Sequence, residues 1–98
     1  MDYEQCIKTK DRFETLCNEK RNFSMVWVVN NKRTTLEVRF YGENTVYFYL
    51  HTGSVNIEFR SSGVGVEGVD PRDEYVFVSA GHGYIAIHGS AEFHEMGD

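Results

Sequence analysis

The hydrophobic pattern changes period once, at Asn22, and that change constrains the fold more than any other feature. Before it, Tyr3, Cys6, Ile7, Phe13, Leu16 and Cys17 fall on one broad face at the helical period. The spacing predicts an amphipathic helix over about 2–21. Asp2 serves as N-cap with Gln5 three residues on, an approximate capping box, and Asn22 as the stop. Lys10 interrupts the apolar face and is expected to snorkel.

After Asn22 the period is two. Phe23, Met25, Trp27 and Val29 alternate with Ser24, Val26 and Val28, and Asn30-Asn31 makes a turn. Leu36, Val38 and Phe40 alternate with Glu37, Arg39 and Tyr41 before Gly42-Glu43-Asn44. Val46, Phe48 and Leu50 alternate with Tyr47, Tyr49 and His51 before Thr52-Gly53-Ser54. Val55, Ile57 and Phe59 alternate with Asn56, Glu58 and Arg60. Tyr75 to Ala80 and Tyr84 to His88 form a last pair around Gly81-His82-Gly83. Strands this short, joined by tight polar turns, predict an α+β fold. One N-terminal helix packs on a twisted antiparallel meander of about six strands between 23 and 94. At 98 residues the chain is read as a single domain, 1–98.

Two faces of that sheet have different uses. Leu36, Val38, Phe40, Val46, Phe48, Leu50, Val55, Ile57 and Phe59 are expected to face the helix. The opposite face carries Glu37, Arg39, Tyr41, Tyr47, Tyr49, His51, Asn56, Glu58 and Arg60. Tyrosine with arginine anchors protein contacts, and the same residues also stabilise an exposed antiparallel face through cross-strand pairs. The candidate partner-binding set is therefore Arg39, Tyr41, Tyr47, Tyr49, His51, Glu58 and Arg60.

Motifs for other chemistry fall short. Residues 63–68 match G-x-G-x-x-G literally, but Val69-Asp70-Pro71-Arg72 follows where a phosphate-binding helix must start. Those glycines are expected to bend or bulge a strand in which Val64 and Val66 share a side. His82, His88 and His94 stand six residues apart, roughly 20 Å along a strand, so they do not converge on one ion without a folded tail. The weaker metal or acid–base alternative is His51 with His82 and His88. Gly81-His82-Gly83 reads as a hairpin turn in which glycine supplies positive φ. Gly89 onward reads as an edge or tail guarded by Glu92, His94 and Glu95. Cys6 and Cys17 lie about three turns apart, too far to pair along one helix, and read as small buried apolar residues.

Composition narrows the function classes. The net charge of −5 and scattered Lys and Arg give no basic footprint, so no nucleic acid is expected as partner. The longest apolar runs are too short for a membrane span, and the polar start does not read as a signal peptide, which favours the cytoplasm. No cofactor motif or nucleophile elbow is present, so the chain is not expected to be an enzyme. The expected function is binding another protein, in the manner of an inhibitor, an immunity protein or a phage or plasmid accessory (anti-defence) protein. A homo-oligomeric assembly subunit is the alternative.

Overall fold

The computed structural model describes residues 3–97. Its elements in chain order are helix α1 (Tyr3–Asn18), then β1 (Phe23–Val29), β2 (Lys32–Tyr41), β3 (Thr45–Thr52) and β4 (Val55–Ser61). There follow β5 (Val64–Asp70), β6 (Tyr75–Ala80), β7 (Gly83–His88) and β8 (Glu92–Glu95). The α+β class read from the sequence holds. The strand count does not: among the described residues eight strands form two antiparallel sheets in place of one sheet of about six. The larger sheet has the order β4-β3-β2-β1-β8 and the smaller β5-β6-β7.

The helix buries Cys6, Thr9, Phe13 and Leu16. Tyr3 lies outside that face, 54% exposed, and Asp2, the expected N-cap, lies outside the described residues. The helix stops at Asn18, three residues earlier than its polar pattern suggests. Lys20 adopts the left-handed conformation at φ 53°. The Arg21 N–H donates to the Leu16 carbonyl and the Lys20 N–H to the Cys17 carbonyl, each at 3.0 Å. That pair of bonds is a Schellman cap, which satisfies carbonyls left over at a helix end. Asn22 acts beyond the helix: its side-chain oxygen accepts the Phe40 N–H at 2.8 Å, and its carbonyl accepts the Met96 N–H at 2.9 Å.

Two-residue turns fix the register. Val29 pairs with Lys32 across Asn30-Asn31, both with positive φ, as a type I′ turn requires. Ala80 pairs with Gly83 across Gly81-His82, and Gly81 supplies the positive φ, 62°. From Val64 on, the 63–68 segment lies in strand β5, with a bulge between Val66 and Gly68. The expected tail forms β8, which pairs antiparallel with β1 from Phe23 to Val26.

The inner faces of both sheets and the helix share one hydrophobic cluster that includes Phe13, Phe23, Leu36, Phe48, Val78 and Ile87. The helix approaches β5 and β6 most closely and reaches β1 through an edge-on contact of Phe13 with Phe23, centroids 5.7 Å apart. The apolar side chains of β2 and β3 therefore face a core shared with a second sheet. Val55 and Ile57 are exceptions: they are 49% and 47% exposed at the start of the edge strand β4, whereas Phe59 further along packs against the core.

Ser61 marks the corner where the chain crosses between sheets. It is buried, and its Oγ accepts the N–H of Gly81 at 2.8 Å and of Gly63 at 3.2 Å. Thr9 Oγ1 donates to the Gly89 carbonyl at 2.6 Å, so a buried polar group on the helix holds the chain just before β8.

Candidate functional site

Residues paired across a sheet share a face, so the register locates the candidate residues without ambiguity. Arg39 pairs with Tyr47 and Tyr47 with Arg60. One step along, Glu37 pairs with Tyr49 and Tyr49 with Glu58. His51 pairs with Thr35 and Asn56. All seven predicted residues, Arg39, Tyr41, Tyr47, Tyr49, His51, Glu58 and Arg60, therefore lie on the outer face of β2, β3 and β4. Two rows run across the strands: Arg-Tyr-Arg beside Glu-Tyr-Glu.

The rings on this face are held by one another. Tyr41 meets Tyr47 edge-on with centroids 5.2 Å apart, and Tyr47 stacks on Tyr49 at 6.4 Å. Tyr47 and Tyr49 are half-buried and Tyr41 exposed. Arg39 Nε donates to Glu37 Oε2 at 2.8 Å. That hydrogen bond, then the carboxylate charge, raises the already high pKa of the guanidinium. The Tyr49 phenol is also pushed above its ordinary value, first by desolvation, then by Tyr41 and Glu58. It remains a neutral donor throughout the physiological range.

A hollow of about 400 Å³ lies between the three strands, lined by Thr35, Glu37, Tyr49, His51, Asn56 and Glu58 among others. Two carboxylates and a phenol at the rim suit a cationic side chain. The sequence pattern supplied the residues of this face; alternation does not encode the hollow between them.

The histidines are dispersed. His51 is on the outer face of the larger sheet and His82 at the β6–β7 turn, both exposed. His88 is half-buried at the end of β7, its Nδ1 2.7 Å from Ser90 Oγ and its Nε2 3.7 Å from Glu74 Oε2. Among the described residues no group of three or more His, Cys, Asp or Glu is placed to hold a metal ion. Cys17 is no nucleophile: burial, then Glu14, pushes its thiol up to about 12.

One feature escaped the sequence. An apolar cleft of about 630 Å³ opens between β4 and β7, with Trp27, Leu50, Ile57, Phe59, Tyr84 and Ile85 among its walls. It exists because the edges of the two sheets do not pair with each other, and period-two alternation carries no signal of which strands become edges. Comparisons with protein families, with curated proteins and with solved structures find no match.

Proposed function

We propose that this chain is a non-catalytic protein-binding module, of the inhibitor, immunity or accessory type, that engages its partner through the outer face of β2, β3 and β4. The observation that supports the reading most is the double row across three neighbouring strands, Arg39-Tyr47-Arg60 beside Glu37-Tyr49-Glu58. Half-buried tyrosines fixed by ring contacts lose little side-chain entropy on binding, the property that makes Tyr and Arg effective interface anchors. The hollow flanked by Glu37 and Glu58 and the net charge of −5 favour a partner that presents a basic side chain there.

The test is an affinity capture from the producing cell with wild-type chain and with the double variant Tyr47→Ser, Tyr49→Ser as parallel baits. Far-UV circular dichroism confirms that both are folded. A protein held by the wild type should be lost from the double variant, with affinity for the purified prey at least about tenfold weaker. Equal retention by both baits refutes this face as the contact surface.

A further inference from the structure

The two sheets have four edges among the described residues: β4 and β8 on the larger sheet, β5 and β7 on the smaller. Exposed edges invite pairing with another chain unless they are short, charged, bulged or covered. The β8 edge is four residues long with Glu92, His94 and Glu95. The β5 edge carries a bulge and lies nearest the helix. The β4 edge is less protected than either: its two charges, Glu58 and Arg60, are of opposite sign and so can pair with a second copy. Its seven residues pair with β3 in unbroken register, and it shows half-exposed Val55 and Ile57 to solvent.

From this edge we infer that β4 pairs antiparallel with β4 of a second copy about a two-fold axis at Phe59, joining two five-stranded sheets into one of ten strands.

The backbone is ready for this. Thr52 and Val55 close a two-residue hairpin and so form a hydrogen-bonded pair. Alternation along the ladder then turns the N–H and C=O of Asn56, Glu58 and Arg60 away from β3, toward the free edge. The Gly81 N–H goes to Ser61 Oγ and so does not occupy the neighbouring Arg60 carbonyl.

The side chains select the register. Continuity of the faces requires odd residues opposite odd and even opposite even. An axis at Glu58 sets that carboxylate against its own copy. An axis at Ile57 sets Glu58 opposite Asn56 and Arg60 opposite Ser54, with neither charge matched. An axis at Phe59 sets Glu58 opposite Arg60 of the second copy, twice by symmetry. The acidic row Glu37-Tyr49-Glu58 then runs on into the basic row Arg60-Tyr47-Arg39 of the other copy. No comparable pair exists on β7, whose sequence GYIAIH has no carboxylate. This dimer does not depend on the partner-binding reading above, because it is formed by the chain alone.

The experiment is light scattering with size-exclusion chromatography, and sedimentation velocity, on purified full-length chain from low micromolar to about 1 mM. Twice the monomer mass is expected for the wild type. Glu58→Arg or Arg60→Glu alone brings like charges together at both symmetric contacts and should raise the dimer Kd at least about tenfold. The double variant Glu58→Arg, Arg60→Glu restores opposite charges and should restore the dimer. A monomeric wild type over the whole range, or single and double variants with the same Kd, overturns the proposal. Loss of partner capture by the Tyr47 and Tyr49 variant with the dimer intact would leave this inference standing; the reverse result would leave the partner face standing.

Discussion

Cys17 shows how one residue's surroundings decide its chemistry. Eleven residues separate it from Cys6 on the same helix, and by sequence both thiols read as small apolar residues. Cys6 is fully buried, and Cys17 packs half-buried against the core. Desolvation of a thiolate is costly, so the Cys17 pKa rises from 9.0 to about 12. The linkage has a definite sign. Below 9 the thiol is neutral in both states and its contribution is fully present. As pH rises from 9 toward 12 the unfolded chain ionises first and stability falls. At pH 8 the folded chain holds on the order of a thousandfold less Cys17 thiolate than the unfolded one. Iodoacetamide should therefore label Cys17 at least about a hundredfold more slowly in native buffer than in urea, by peptide mass spectrometry. Equal rates would show an accessible, ordinary thiol.

At the scale of elements, local rules did most of the positioning. The change of period at Asn22 separates helix from strands, and short turns, three residues between β2 and β3 and two between β3 and β4, set the cross-strand pairs on the candidate face. Asn30 and Asn31 carry positive φ at 52° and 63°. Asparagine tolerates that region and glycine occupies it without steric cost. Asn31→Gly is expected to raise stability by about 0.5–1 kcal/mol, a few degrees in melting temperature; a lower melting temperature would mean that Asn31 makes a contact that outweighs its backbone strain. The candidate face was legible because alternation assigns faces reliably. The sheet count was not, because alternation says nothing about which sheet a strand joins. The β5 bulge between Val66 and Gly68 breaks the pattern, and β8 is too short to display one. Val55 and Ile57 alternate as core residues do, yet lie at an edge, where the same pattern has no layer above it.

For the molecule as a whole, the decisive join is the corner at Ser61, where the chain leaves the larger sheet for the smaller. Its hydroxyl accepts N–H groups from Gly63 and from Gly81 at the far hairpin. One side chain thus ties β4 to β5 and to the β6–β7 turn. Removing it deletes two hydrogen bonds accepted by a side chain that is only 6% exposed, a loss of about 1–3 kcal/mol. How that loss is distributed reports whether the two sheets are one cooperative unit. They share a single hydrophobic cluster with the helix, and domains of this size usually unfold in one step. The chain has one tryptophan. Trp27 lies on the inner face of the larger sheet and walls the cleft toward β7, so its fluorescence reports packing in the shared core, whereas far-UV circular dichroism reports both sheets and the helix. In Ser61→Ala both signals should shift to lower urea by the same amount and remain superimposable. If the two transitions separate, the sheets unfold in separate steps and the shared core does not couple them.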